Sequence, residues 1–240
     1  MAYKKCITLV SALLLYVNSY AQQSATYTNE LVDYQKALTL YNNKQYQAAQ
    51  SMFDNIIDQT EDEQLISDCT YYYANCAVRL NQINADSLIE DFVETYPTST
   101  KKNTAFLDVA DYYFDNGKYA YARKWYEKVD EGSISRAERE KFSFNYGYSL
   151  YSTKDEVGAQ KYLSRVVDSK EYGSQAKYYI GFMAYEGDDY NKANEYFEQV
   201  SNDEKYKEKL SYYQADLNFK LGNFEKAIAL ATEQMPKSNP

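Results

Sequence analysis

This 240-residue chain carries 35 acidic residues and 3 Cys, but their spacing does not suit acid–base, nucleophilic or metal chemistry. There is no histidine, which removes the commonest general base at neutral pH and one of the commonest metal ligands. The acids Asp188-Asp189 and Asp203-Glu204 are adjacent in sequence and fall at turns or caps. They lack the facing, separated geometry that carboxylate pairs need for hydrolysis. The acidic run Asp58 to Glu63 lacks the glycine and alternating ligands of a calcium loop, and reads as a solvated, capped connection. No Gly-rich phosphate loop and no Ser nucleophile motif occur. These residues imply no enzyme, no cofactor and no metal.

Cysteine chemistry is equally restricted. Cys6 precedes the apolar N-terminal run, where it is not placed as a lipid acceptor. Cys69 and Cys76 fall in one predicted helix, seven residues apart, a rise of about 10.5 Å. A disulfide needs alpha carbons within about 7 Å, so the pair is expected as buried small hydrophobes.

Recognition by aromatic rings is the chemistry that remains. The chain carries 29 Tyr, a residue that combines a large apolar body with a polar tip. The net charge of −9 would become −11 once Lys4 and Lys5 were removed, and that excess opposes nucleic acid as a partner.

The elements that must position those rings are helices. With 8 Gly and 3 Pro there are few breakers, and Ala, Glu, Lys, Gln and Leu recur at spacings of three and four. Residues 1–21 read as a cleavable signal peptide: Lys4 and Lys5, an apolar run from Ile7 to Val17, then Asn18-Ser19-Tyr20-Ala21 with small residues before the cut. Residues 22–29 are a short linker and residues 30–240 the helical array. No transmembrane segment follows signal cleavage, because the remaining apolar stretches are too short to span a bilayer.

Inside the array one pattern recurs: a small residue, a turn, an Ala twelve positions later, and a bulky or apolar residue four after that. It reads Ala37/Ala49/Phe53, Ala110/Ala122/Tyr126, Gly147/Ala159/Leu163, Gly181/Ala193/Phe197 and Ala215/Ala227/Ala231, with Ala74/Ala85/Ile89 one residue shorter in its turn. The key alanines are 36, 37, 37, 34 and 34 residues apart. Small residues allow two antiparallel helices to approach closely, and stacking of neighbouring pairs supplies the stability. Gly117, Gly187 and Gly222 are expected to relax the turns. Thr60-x-x-Glu63, Ser135-x-x-Glu138 and Ser201-x-x-Glu204 read as capping boxes that open first helices.

These residues resemble the tetratricopeptide repeat family. The series Phe106, Val109, Ala110, Tyr113, Gly117, Tyr119, Ala122 and Tyr126 matches best, and Pro97 falls where the family ends a repeat. The resemblance covers about residues 30 to 235. It implies an all-α, right-handed α-solenoid of about six helix-turn-helix repeats, whose first helices line a concave groove. The stretch Phe92 to Ser99, with Tyr112-Tyr113-Phe114 and Gly117-Lys118-Tyr119, is similar to members found in cell-envelope assembly. The Tyr20-Ala21-Gln22-Gln23 junction and the Tyr/Asn/Lys-rich composition resemble exported proteins of Bacteroidetes-type bacteria, which implies the periplasm or the outer membrane.

Carried onto this sequence, the groove positions are Tyr34, Tyr41, Tyr71, Phe144, Tyr148, Tyr151, Tyr178, Phe182, Tyr185, Tyr212 and Phe219, with Asn75, Leu107, Asp111, Phe114 and Asp216 beside them. The repeat-packing positions are Ala37, Ala49, Ala85, Ala110, Ala122, Gly147, Ala159, Gly181, Ala193, Ala215 and Ala227. Rings in such positions either anchor a peptide or helix, or pack against neighbouring helices as core. The Lys/Asn/Arg set with which some members clamp a C-terminal carboxylate is absent, since Tyr34, Leu38 and Tyr71 stand where it would start. The function implied is a protein-binding scaffold in envelope assembly or secretion. The alternatives are a glycan- or peptidoglycan-binding module and a purely structural segment of a larger repeat protein. The last pair closes on Phe224, Ala227, Ile228, Leu230 and Ala231 without a polar outer face, so an exposed apolar end and self-association through it are expected.

Overall fold

The computed structural model describes residues 29–234. The signal sequence, with Cys6, most of the linker and the Pro236–Pro240 tail lie outside the described residues. Every described element is helical. The helices run in six pairs: α1 (29–42) with α2 (Tyr46–Gln59), α3 (Glu63–Arg79) with α4 (Ala85–Thr95), and α5 (Lys102–Asp115) with α6 (Tyr119–Tyr126). Then come α7 (Arg136–Ser152) with α8 (Glu156–Leu163), α9 (Gly173–Glu186) with α10 (Tyr190–Val200), and α11 (Lys207–Lys220) with α12 (Phe224–Gln234). No described helix is long and apolar enough to cross a membrane.

One device closes all six turns. A single residue takes a positive φ: Lys44, Asn81, Gly117, Lys154, Asp188 and Gly222, with φ between 55° and 79°. The next amide then bonds back across the turn, as Lys118 N–H does to the Tyr113 carbonyl (2.9 Å) and Asp189 N–H to that of Ala184 (2.8 Å). This satisfies carbonyls that the helix end leaves open. Gly187 does not serve as expected: its φ is −89° and it ends α9, while Asp188 takes the left-handed position. Asp tolerates that conformation better than most side chains, so the glycine one place earlier is not required for it.

Two of the three expected capping boxes also move. Ser135 and Glu138 form one, with reciprocal bonds of 3.3 and 2.8 Å at the start of α7. At α3, however, Asp62 is the cap, accepting from the amides of Gln64 and Leu65. Thr60 instead accepts from the Asp62 amide and donates to Glu30. Ser201 donates to the Glu198 carbonyl, and α11 starts only at Lys207, beyond Glu204. At α3 a nearer acceptor wins over the sequence signature, whereas the N-cap of α11, Tyr206, makes no side-chain cap bond.

The chain forms two compact units, divided after Ala105. In the first, Ala37, Ala49, Phe53, Ile56, Leu65, Cys69 and Cys76 make the core, and Tyr71, Phe92 and Ala105 make a second cluster. Both cysteines are free, fully buried and on α3. In the second, Trp125, Tyr126, Phe142, Leu163 and Ile180 are buried, followed by a cluster of Ala193, Phe197, Val200, Tyr206, Leu210 and Leu217.

The small residues sit at close crossings. Ala37, Ala49, Ala85, Ala110, Ala122, Ala159, Ala193 and Ala227 are buried, as are Gly147 and Gly181. A Cβ on Gly181 would stand 2.7 Å from the Phe197 ring. Ala215 is only half-buried, because its partner four residues beyond the α12 alanine is Ala231, too small to cover it.

Candidate functional site

The spacing i, i+4, i+7 places three side chains on one helix face. On α7 these are Phe144, Tyr148 and Tyr151, on α9 Tyr178, Phe182 and Tyr185, and on α11 Tyr212, Asp216 and Phe219. In the second unit the α7 and α9 faces meet rings from the N-cap and body of the next first helix. Tyr172 stacks on Phe144 at 5.0 Å and Tyr206 on Tyr178 at 4.7 Å. Tyr179 packs against Tyr151 at 5.2 Å and Tyr148 at 4.8 Å, while Tyr213 packs against Tyr185 at 5.4 Å and Phe182 at 5.1 Å. Tyr148 also contacts Phe114 and Tyr119.

The outcome differs along the array. Phe144 is buried, and Tyr148, Tyr151, Tyr178, Phe182 and Tyr185 are half-buried. Tyr212 and Phe219 are 60% and 62% exposed. In the first unit Tyr34 and Tyr41 are half-buried against Tyr72, and the Arg79 guanidinium lies 5.0 Å over the Tyr41 ring. Tyr71 is buried between Tyr72 and Phe92, so it and Phe144 present no open ring face. Asn75 and Leu107 are buried too.

Burial pushes the Tyr151 and Tyr206 hydroxyls up to about 12, and Tyr179 higher still, so these rings stay neutral across the physiological range. The acids on the same face are engaged. Asp111 accepts from Tyr126 Oη (2.5 Å), Lys141 Nζ (2.8 Å) and Asn145 Nδ2 (3.1 Å). Asp216 accepts from the Tyr185 hydroxyl and pairs with Lys220 at 3.1 Å. The Lys220 ammonium lies 4.7 Å from the centres of both the Tyr185 and Tyr190 rings. The Tyr185 hydroxyl bond, then Lys220, hold the Asp216 carboxyl below the usual carboxylate range.

The acids once weighed for catalysis have turn roles. Asp189 caps α10 at the Lys192 amide, Asp188 accepts from the Tyr190 hydroxyl, and Asp203 accepts from the Lys205 amide. Among the described residues no group of three or more Cys, Asp or Glu is placed to hold a metal ion. A cleft of about 560 Å³ opens in the first unit between the start of α3 and the end of α4, lined by Ser67, Tyr96 and Ser99 among others. None of the expected groove rings lines it.

Sequence reasoning missed four rings that lace the second unit: Tyr172, Tyr179, Tyr206 and Tyr213. A signal for them exists. Each lies 28 residues after the ring it covers, in the order Phe144, Tyr151, Tyr178 and Tyr185.

Residues 175–203, which are most of α9 and all of α10, match the family model described as tetratricopeptide repeat. No curated protein matches the sequence. Solved structures do. The C-terminal part of a TPR repeat-containing protein from Cytophaga hutchinsonii is 17% identical with a TM-score of 0.67, over 88% of this chain and 84% of that one. A tetratricopeptide repeat protein from Parabacteroides merdae is 14% identical, with a TM-score of 0.54 over 88% and 80%. Pseudomonas aeruginosa PilF is 10% identical, with a TM-score of 0.52 over 87% and 91%. At these identities the shared property is the fold, and that fold is the tetratricopeptide-repeat helical array.

Proposed function

We propose, with the tetratricopeptide-repeat fold as the premise, that this protein is a non-catalytic periplasmic scaffold. It holds a peptide or helical segment of a protein partner in a groove along its first helices, in envelope assembly or secretion. The fold itself is one that generally serves protein–protein interaction. The observation that carries the groove is the row of half-open rings Tyr148, Tyr151, Phe182 and Tyr185, each fixed from behind by a neighbouring ring. Rings held in place lose little entropy when a partner covers them, which suits them as anchors. The periplasmic location rests on the signal pattern of residues 1–21.

The test is recovery of partners from an envelope fraction by the tagged protein and by the double variant Tyr148→Leu, Tyr151→Leu. Leucine keeps apolar volume in the ring layer, and a thermal melt checks that the variant is folded. Discrete proteins recovered by the parent and lost by the folded variant support the groove. Equal recovery by both overturns it, and retention on peptidoglycan or glycan resin at millimolar sugar in place of protein capture overturns the protein-partner reading. Periplasmic fractionation with a mature N-terminus at Gln22 is the expected result for export. A chain that keeps residues 1–21 in the cytoplasm overturns that part.

A further inference from the structure

The cleft of about 560 Å³ in the first unit has a polar group on its wall that the fold does not use. One wall is the first two turns of α3, with Glu63, Gln64 and Ser67, and the other is residues 95–99, the end of α4 and the connection to α5. Ser67 is 4% exposed, and its hydroxyl has no hydrogen-bond partner among the described residues. A buried hydroxyl left unpaired costs stability, and an alanine at the same place would carry no such cost. Packing therefore gives no reason for a serine here, whereas a polar ligand in the cleft does.

The second wall is fixed before anything binds. Ser99 N–H donates to the Tyr96 carbonyl at 3.1 Å, and Pro97 sets the backbone inside that turn. Lys101 N–H donates to Ser99 Oγ at 3.2 Å, and the half-buried Tyr96 ring packs on buried Phe92 at 5.7 Å. A wall already ordered loses little entropy on binding.

The polar groups name the kind of ligand. Five of the eight residues that line the cleft carry a hydroxyl, Glu63 carries a carboxylate and Gln64 an amide, and no lysine or arginine is among them. An anion finds nothing to neutralise it. The α3 amides that would attract one are taken, because Asp62 accepts from Gln64 and Leu65. Hydroxyls that both donate and accept, acceptors beside them and a tyrosine ring suit a ligand that is itself a carbon frame bearing hydroxyls. The volume lies in the range of small-molecule pockets.

We propose that this cleft binds a neutral saccharide of one or two sugar units, with the Ser67 hydroxyl bonded to a hydroxyl of the sugar. The site lies in the first unit and does not rest on the groove rings of the second.

The probes are cellobiose, maltose and the disaccharide of N-acetylglucosamine, titrated into the whole chain by calorimetry, with saturation-transfer NMR as the second readout. At least one is expected to bind saturably at millimolar concentration or below. Ser67→Ala should weaken that binding about ten-fold while melting at or above the temperature of the parent, since its hydroxyl makes no bond within the fold. The Tyr148→Leu, Tyr151→Leu variant should bind the sugar as the parent does, and Ser67→Ala should recover envelope proteins as the parent does, so failure of this site and failure of the groove are read separately. Binding of none of the three probes overturns the proposal, as does binding that Ser67→Ala leaves unchanged. A lower melting temperature for Ser67→Ala also overturns it, because the hydroxyl would then serve the fold. So does binding of spermidine, abolished by salt, in place of any sugar, because the cleft would then be a cation site built on Glu63.

Discussion

Gly147 on α7 lies so close to Leu163 on α8 that an added Cβ would stand 2.9 Å from Leu163 Cγ and 3.0 Å from its backbone nitrogen. The crossing of this pair is set by the absence of a side chain. Gly147→Ala should therefore cost about 1–3 kcal/mol, the range of overpacking in a filled core. Urea unfolding measures it. Gly117→Ala is the contrast: nothing lies within 4 Å of the added atom, but φ is +71°, so only backbone strain of about 1 kcal/mol is expected. Equal effects at the two sites would show that steric approach does not distinguish them.

Asp111 ties three elements together through Tyr126, Lys141 and Asn145. Tyr126 and Asn145 are almost fully buried, so removing the carboxylate leaves their polar atoms without an acceptor. Asp111→Ala should destabilise the protein by about 1–3 kcal/mol, and chemical denaturation followed by circular dichroism reads it. A change within a few tenths would mean that water replaces the carboxylate.

Burial pushes the Cys69 and Cys76 thiols up to about 12, with Asp68 adding to the effect at Cys69. The folded protein therefore keeps both protonated where an exposed thiol is already ionising. Below the ordinary thiol range this contribution to stability is fully present, and it is lost as pH rises through the folded values. At pH 8 neither thiol should react with Ellman's reagent in the native protein, and both should react in urea. Rapid native reaction would contradict their burial.

Ser135 and Glu138 close the start of α7 reciprocally. Ser135→Ala should cost about 1 kcal/mol. The Ser135 hydroxyl bond, then its amide, hold the Glu138 carboxyl below the usual range. Its contribution is present above the ordinary Glu range and lost as pH falls through the folded value. The difference between parent and variant should shrink in acid, which thermal melts from pH 7 to 3 will follow. By contrast, Thr60→Ala should leave the α3 cap in place, because Asp62 provides it.

Much of the fold was legible because it rests on local rules. The spacing of Ala49, Ala85, Ala122, Ala159, Ala193 and Ala227 marked six helix pairs, but the turn before Ala85, expected to be one residue shorter, is five residues long (80–84) against three in the other pairs. The exposed apolar residues of α12 were legible as well, with Ile228 standing where earlier repeats are polar. The aromatic face was legible only as a list of positions. Tyr34 and Tyr178 stay half-buried while Phe144 and Tyr71 close, although all four stand three residues before the small residue of their helix.

The sequence by itself determined the helical period, the close crossings at Gly147 and Gly181, the absence of histidine, and the acidic charge. Each depends on residue type or on neighbours within a turn or two. Tertiary structure alone decided which rings are covered, that Asp188 and not Gly187 takes the left-handed turn position, and that Asp62 caps α3. A ring is open or closed according to which neighbours pack on it, as Tyr72 and Phe92 close Tyr71, and a cap is chosen by which acceptor reaches the free amides. Both are matters of distance in space, and no local period encodes them.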